Sequence, residues 1–352
     1  MKSNCYKRPG SFAETVQLVE NYVKEEIVKE TENKQLFYHT LRHALAVKRR
    51  ASRIFEAIEP TLKQSKTADE LARLKSLVGL SAIAHDLVQV FVTNQEKHQP
   101  RRHPVGVSET AAADKLIEYI QNLNRQLSSY ELDASFLFKD TDIDIVRDAI
   151  LATICDRDPL AGQADYSFSP HSIYQPYLYD PQPKISIISS IIAIADLGAL
   201  AMDGIKPYIQ DGILIFIEDN LDLKDLILNG EVTASLPSDR PKGNDKTELK
   251  APGLNNPTIH LELNCLDLDG DLIKKRLITM TRFMVNLAKE RFARLELEIA
   301  GFTPQARQIL TQTVFTHLNA ENIEKIEMIV PTDEETSLSE LINFFHLYLN
   351  EN

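Results

Sequence analysis

The chain has 352 residues, of which 43% are hydrophobic and 26% charged, as in a soluble globular protein long enough to bury a substantial core. Asp and Glu outnumber Lys and Arg by 51 to 39, and this acidic balance argues against general nucleic-acid binding, which needs clustered positive charge. Three widely spaced cysteines argue against a disulfide framework or a thiolate zinc site. The N-terminal residues contain no apolar signal segment, and together with the dispersed cysteines this favours a cytoplasmic location.

Apolar residues recur at helical spacing through most of the sequence, which predicts an all-α fold. Two helices are indicated before residue 60, by the series that begins at Val16 and by the series that begins at Leu41. Further helices are predicted at residues 67–92, 104–126, 141–155, 184–203, 211–229, 270–300, 304–319 and 336–349. The segment IEKIEMIVP, residues 323–331, is compatible with a short strand.

The composition changes at residues 230–258, which are rich in Pro, Gly and charge and predict an exposed loop or linker. This linker separates a helical domain, residues 1–229, from a C-terminal helical extension, residues 259–352. The extension either packs back onto the first part or forms a small accessory bundle.

One segment, ISIISSIIAIADLGALAM, approaches the length of a membrane span, which is about 20 residues. It contains three serines and Asp196, and no comparable apolar segment occurs elsewhere in the chain. We therefore predict a buried core helix and no membrane association.

Three separate segments place His and Asp in apolar surroundings. They are YHTLRHALAV with His43, LVGLSAIAHDLVQV with His85 and Asp86, and SIIAIADLGAL with Asp196. A buried charge or imidazole costs free energy unless it is paired, hydrogen-bonded or bound to an ion, so we expect these four side chains to share a divalent cation. Two imidazoles and two carboxylates suit Mn, Fe, Zn or Mg. The alternative is that they are unrelated polar groups in the core.

The local spacing constrains how these side chains can meet. His39 and His43 are four residues apart, which puts them on one face of a helix, with His43 nearer the apolar stripe. His85 and Asp86 are adjacent, so a regular helix would splay them by about 100°. Both can therefore reach one ion only where the helix ends or kinks.

Taken in order, the three segments resemble the HD superfamily of metal-dependent phosphohydrolases, over about residues 36–204. The resemblance implies an all-α HD-domain helical bundle, with additional C-terminal helices here, in which His43, His85, Asp86 and Asp196 bind the metal. The YHT segment is similar to that of cyclic-nucleotide phosphodiesterases and small HD hydrolases. This similarity implies that His39 donates a proton to the leaving oxygen.

The sequence departs from the pattern of many HD hydrolases, which use two further histidines to hold a second metal. His103 is a candidate for one, but the segment CDRDP has no histidine for the other, and Asp156 or Asp158 would have to replace it. We therefore expect a mononuclear site. The segment SETAAADKL resembles a helix of small HD proteins, which implies that Glu109 faces the cavity; a solvated first-turn glutamate is the alternative.

The chemistry implied by such a site is hydrolysis of a phosphorylated small molecule, such as a nucleotide, by metal-activated water. Asp86 or Asp196 would orient the water, and His39 would act as the acid. The segment KHQPRRHP supplies Arg101, Arg102 and His103 as a phosphate-binding rim, or else it is a solvated basic loop.

Other charged and aromatic side chains are weaker candidates for the substrate site. Arg157, Arg282, Lys289 and Arg291 are such residues, and the last three are more typical of a solvated helix face. Tyr166, Tyr174, Tyr177 and Tyr179 lie in a long irregular segment, where they would either stack on a nucleobase or pack on the core.

Two other functions remain open. One is a regulatory module that binds metal or nucleotide without turnover, which the missing histidine at CDRDP favours and the presence of His39 does not. The other is an iron-dependent oxygenase, a chemistry that the same superfamily also contains. It is the least favoured, because it needs more histidines.

Overall fold

The computed structural model describes residues 8–92, 99–130, 132–157, 173–179, 186–230 and 269–350. Within these ranges the chain is built mainly from helices, which confirms the predicted all-α class with its additional C-terminal helices. The helices are α1 (Phe12–Lys34), α2 (Leu41–Leu62), α3 (Ala68–Ala84), α4 (Val107–Ser128), α5 (Asp140–Leu151), α6 (Pro176–Tyr179), α7 (Ile187–Asp196), α8 (Ile205–Asp219), α9 (Lys224–Asn229), α10 (Gly270–Glu298), α11 (Pro304–Ile309), α12 (Ala320–Ile329) and α13 (Leu338–Asn350). Two short strands, β1 (Asp156–Arg157) and β2 (Ile173–Tyr174), pair antiparallel.

Polar side chains at the first turns explain where several helices begin. The Ser11 hydroxyl accepts a hydrogen bond from the backbone N–H of Glu14 at 3.2 Å at the start of α1. Thr67 and Glu70 form a reciprocal capping box at the start of α3. Each of these caps pairs backbone groups that have no partner within the helix.

Some predicted helices are interrupted in the structure. The helix predicted at residues 67–92 ends at Ala84. The helix predicted at 184–203 is divided into α7 and a π-helical turn, Ala199–Asp203, with Gly198 between them. The helix predicted at 211–229 lies in α8 and α9, which are separated by Asn220 and a 3-10 turn, Leu221–Leu223.

The possible strand at residues 323–331 is wrong, because α12 covers most of this segment. Asn319 caps the helix by accepting a hydrogen bond from the backbone N–H of Asn322 at 2.9 Å. Ile323 and Ile326, three residues apart, are both buried on one face of the helix. The cap and this helical spacing decide in favour of a helix over the β propensity of the isoleucines.

The core surrounds α3 and α7. Residues 77–84 of α3 and 188–195 of α7 are buried without exception. Helices α2 and α5 pack against both of them, and α1 packs against α3. Each large aliphatic side chain buried there contributes about 1.5–3 kcal/mol. The ends of α3 and α7 are therefore held firmly in place.

The C-terminal helices pack onto the first part of the chain. Helix α10 contacts α6 and α8, and α11 contacts α2. Buried side chains of both parts, such as Ile54 and Leu277, belong to one continuous hydrophobic cluster. Of the linker predicted at 230–258, all but Gly230 lies outside the described residues, as do residues 259–268 of the extension.

The apolar segment that resembled a membrane span forms α7 and the π-helical turn, most of it buried in the core. Among the described residues, no helix combines the length and the apolar composition needed to cross a bilayer.

Candidate metal centre

The four side chains expected to bind a metal lie at the ends of three helices. His43 is in the first turn of α2, and Asp196 is the last residue of α7. His85 follows the last residue of α3, and Asp86 comes next. The α3 helix thus ends at the position where the sequence requires an end or a kink if adjacent side chains are to converge.

The polar atoms of these residues face one another at short distances. His43 Nε2 lies 3.4 Å from Asp86 Oδ2 and 3.3 Å from Asp196 Oδ1. His85 Nε2 lies 3.0 Å from Asp86 Oδ2 and 3.4 Å from Asp196 Oδ1. Both imidazoles are almost fully buried. Two imidazoles and two carboxylates therefore border a single small space.

The hydrogen-bond roles in this cluster suit a cation. His85 Nδ1 lies 2.9 Å from the Ala82 carbonyl, and because a carbonyl only accepts, Nδ1 donates; Nε2 faces the carboxylates and is free to carry a proton or to bind a cation. His85 Nε2, both ring nitrogens of His43, and Asp86 Oδ2 are buried without a hydrogen-bond partner among the described residues. Buried polar atoms without hydrogen-bond partners are costly, and a shared divalent cation would satisfy those that face one another. The donor set fits such an ion.

The carboxylates also attract positive charge. Burial lowers the pKa of His85, but the nearby charges of Asp86 and Asp196 outweigh it and raise the pKa well above the ordinary histidine value. Burial raises the pKa of Asp86, but the charges of His85 and His39 outweigh it and hold the pKa far below the ordinary value. A proton and a metal ion therefore compete for this cluster.

Two buried glutamines donate hydrogen bonds to the carboxylates of Asp86 and Asp196. Gln89 Nε2 donates to Asp86 Oδ1 at 3.1 Å, and Gln175 Nε2 donates to Asp196 Oδ2 at 3.3 Å. Each carboxylate thus has one oxygen bound to an amide and the other facing the imidazoles. Sequence reasoning missed both glutamines. Gln89 follows Asp86 by three residues, which is only weak evidence of a contact between them. Gln175 lies in a segment without regular spacing, so nothing in the sequence indicated its contact with Asp196.

His39 is held by a carboxylate that the sequence did not reveal. The Glu218 side chain is fully buried, and its Oε1 hydrogen-bonds to His39 Nδ1. Its Oε2 accepts from the backbone N–H groups of Phe37 at 2.8 Å, Tyr38 at 2.9 Å and His39 at 3.1 Å. Because Glu218 and His39 are 179 residues apart in the chain, local patterning carries no sign of the pair.

Electrostatics make this pair an ion pair at neutral pH. Burial lowers the pKa of His39, but Asp86 and Glu218 outweigh it and raise the pKa to about 9. Burial raises the pKa of Glu218, but the charge and hydrogen bond of His39 outweigh it and lower the pKa to about 2. The His39 ring centroid is 6.3 Å from that of His43, so a protonated imidazole lies beside the centre.

His103 lies on the far side of His39, with the two ring centroids 5.5 Å apart. His39, His103 and Glu218 each offer a possible ligand atom, and these atoms lie within 4.8 Å of one another. His103 Nε2 is also 3.4 Å from Asp219 Oδ1. This second cluster adjoins the first, but in it Glu218 is already hydrogen-bonded by His39 and the backbone.

The residues that would replace the missing histidine are only partly described. Asp156 is in β1, where its Oδ1 accepts from the backbone N–H of Arg157 at 2.6 Å, and among the described residues it joins neither cluster. Asp158 lies outside the described residues. Cys155 is close to the centre, since burial and the charges of Asp196 and Glu109 raise the pKa of its thiol.

The proposed phosphate rim is divided between internal and exposed positions. The Arg101 guanidinium donates to the main-chain carbonyls of Lys34 at 2.7 Å, Gln35 at 3.3 Å and Glu218, so it links the ends of α1 and α8. Arg102 is exposed. Of the rim candidates, Arg102 therefore presents its side chain to solvent, while Arg101 is engaged within the fold.

Glu109 is in the first turn of α4 and is not fully solvated. Burial raises the pKa of its carboxyl, and the charges of Asp86 and Asp196 raise it further. Glu109 is therefore close enough to the centre to sense its charge.

The later charged residues differ in environment. Arg282 and Lys289 are solvent-accessible and pair with Glu334 and Glu327, as expected for a solvated helix face. For Arg291 that expectation is wrong, because it is buried and pairs with Glu298 at 2.5 Å. Arg291 is buried, unlike Arg282 and Lys289, because the short helix α6 packs against α10.

Comparison with known proteins finds no match: no family model fits the chain, and no curated protein or solved structure is significantly similar to it. The resemblance to the HD superfamily therefore depends on the quoted segments and on the arrangement of their four His and Asp residues.

Proposed function

We propose that the chain is a divalent-metal-dependent phosphoric ester hydrolase of the HD type, acting on a phosphorylated small molecule such as a nucleotide. The observation that carries the proposal is the meeting of His43, His85, Asp86 and Asp196 around one space with unpaired buried polar atoms. A cytoplasmic location is part of the proposal, supported by the few dispersed cysteines.

The four residues would hold Mn, Mg, Fe or Zn, and such a cation, when bound, polarises a phosphoryl oxygen and lowers the pKa of water. Gln89 and Gln175 fix the carboxylates so that one oxygen of each stays turned toward the imidazoles. Asp86 or Asp196 then has a fixed acceptor with which to orient an attacking water molecule.

His39 is the proposed proton donor to the leaving oxygen. Glu218 keeps it protonated, and this contribution persists when a cation offsets the charges of Asp86 and Asp196. The backbone N–H groups that bind Glu218 keep the carboxylate ionised and in place. A charged acid beside the metal ligands is what departure of an alkoxide requires.

The first experiment measures metal content in the untreated protein and in His85→Ala and Asp86→Ala. We expect the wild type to carry a divalent metal and both variants to lose most of it while remaining folded. His317→Ala, which changes an exposed histidine outside the cluster, is the matched control. Full metal occupancy in both centre variants would reject the assignment.

A second experiment tests turnover. Phosphomonoesters, cyclic nucleotides and nucleoside triphosphates are assayed with Mn²⁺, Mg²⁺, Fe²⁺ and Zn²⁺. We expect product from at least one class, reduced at least about 100-fold in His39→Ala, in line with the usual contribution of general acid catalysis. Tight nucleotide binding without product under every metal would favour the regulatory module instead.

A further inference from the structure

A short segment connects the metal centre to the C-terminal helices. We define residues 173–179, which contain β2 and α6, as the strap. Its first part pairs with β1, with Asp156 opposite Tyr174 and Arg157 opposite Ile173. Gln175, the next residue, is 1% exposed. The strap therefore places the buried Gln175 amide next to Asp196.

The orientation of this amide is determined by its partner. A carboxylate only accepts, so the 3.3 Å contact with Asp196 Oδ2 is made by the Gln175 Nε2 donor. Gln175 Oε1 is buried and has no hydrogen-bond partner among the described residues. A buried amide that leaves one of its atoms unpaired is costly, which indicates that its position is set by the contact with Asp196.

The other end of the strap is fastened to α10. The Tyr179 hydroxyl donates to Glu298 Oε1 at 2.7 Å. Arg291 pairs with the same carboxylate at 2.5 Å, and the guanidinium of Arg294 lies 5.9 Å from the centre of the Tyr179 ring. Arg291, Arg294 and Glu298 are all at least 94% buried. This anchor is thus a packed, charge-assisted contact.

We propose that Gln175 is a positioning residue for Asp196, and that α10 sets the cation affinity of the centre through the strap. The proposal rests on the proposed function only in taking Asp196 as a metal ligand. Asp196 ends α7, so its carboxylate is fixed by what it contacts and not by a following helical turn. One turn of helix, α6, separates Gln175 from Tyr179. The contact of Gln175 with Asp196 and the contact of Tyr179 with α10 are therefore joined by a short, rigid segment.

The test measures the Mn²⁺ dissociation constant of the full chain by competition with a chelating dye. Gln175→Met keeps an unbranched side chain of similar length and removes the donor. We expect about tenfold weaker binding, the usual effect of removing a group that orients a ligand. The visible spectrum of the Co²⁺-loaded protein should change as well, because it reports ligand geometry, which a purely structural role would leave unaltered.

Tyr179→Phe tests the anchor, since it removes only the hydroxyl that binds Glu298. We expect about threefold weaker Mn²⁺ binding, as for loss of one hydrogen bond. Tyr177→Phe is the matched control: it makes the same change two residues away, where the hydroxyl has no hydrogen bond to the described part of the chain. Its affinity should equal that of the wild type.

The outcomes are distinguishable. A wild type that binds no divalent cation rejects the proposed function and this inference together. A wild type that binds Mn²⁺ while Gln175→Met binds equally well, with an unchanged Co²⁺ spectrum, overturns the inference alone. If Gln175→Met weakens binding but Tyr179→Phe matches Tyr177→Phe, the role of α10 is overturned and that of Gln175 stands.

Discussion

Glu218→Gln removes the negative charge beside His39 and preserves the shape of the side chain. The pKa of His39 rises from 6.5 to about 9, and that of Glu218 falls from 4.5 to about 2. The fall for Glu218 is caused mainly by the charge and hydrogen bond of His39 and corresponds to about 3 kcal/mol at 1.36 kcal/mol per pH unit, whereas the rise for His39 includes the charge of Asp86 ahead of that of Glu218. The side chain of Glu218 is fully buried, so solvent screening does not reduce this figure.

The contribution of the His39–Glu218 ion pair to the free energy of unfolding depends on pH, and the two pKa shifts give its direction. Glu218 has a lowered pKa, so its stabilisation is present above pH 4.5 and is lost as the pH falls toward 2. His39 has a raised pKa, so its stabilisation is complete below pH 6.5 and is lost as the pH rises through about 9. The pair is therefore at full strength between pH 4.5 and 6.5.

Urea unfolding at pH 6 and pH 10, in the presence of a chelator, measures this effect. We expect Glu218→Gln to lose about 3 kcal/mol at pH 6 and clearly less at pH 10. Glu59→Gln, which changes a half-buried surface carboxylate paired with Lys63, should lower the free energy of unfolding only slightly. In an NMR titration of labelled histidines, the His39 midpoint should fall by about 1–3 pH units in Glu218→Gln. An unchanged midpoint would refute the reasoning.

Three further predictions follow from single contacts. Arg101→Met should reduce the free energy of unfolding by about 1–3 kcal/mol in urea titrations, because buried main-chain carbonyls lose their donor; an unchanged value would mean that those carbonyls find other partners. Cation affinity should fall as the pH decreases, because His85, whose pKa is raised, binds a proton in competition, and calorimetry in buffers of different ionisation enthalpy should detect proton release on binding. Asn319→Ala should cost about 1 kcal/mol at the start of α12, measured by thermal unfolding, and a neutral effect would show that the cap is dispensable.

The parts of the centre that local patterning encodes were predictable. His43, His85 and Asp196 each stand in an apolar run of helical spacing, where an unpaired polar side chain requires a partner. Convergence of His85 and Asp86 required a helix end or a kink near them, and α3 ends at Ala84, although the apolar periodicity alone predicted a helix that continues to residue 92. Positions of this kind are recognisable because the polar residue conflicts with its own surroundings in the sequence.

The parts of the centre that depend on contacts between residues distant in the chain were not predictable from the sequence. Glu218 lies in α8 among apolar residues, and nothing near it in the chain indicates that three backbone N–H groups of another segment surround it. Arg101 looked like a phosphate ligand because local sequence shows its charge but not the carbonyls that it meets. Periodicity reports which face of a helix is buried, and it does not report which polar groups meet across the core.

The orientation of the helices that meet at the four side chains supports the proposal that they bind a cation. The C-terminal ends of α3 and α7 both lie there, and the unpaired carbonyls of a helix C-terminus carry a partial negative charge of about half an electron. Helix α2 begins at the cluster, with His43 in its first turn. The fold therefore directs a net negative field, in addition to two carboxylates, at a space bordered by imidazole nitrogens. An anionic group placed among these four side chains would be repelled, whereas a divalent cation would meet attraction from the backbone as well as from the carboxylates.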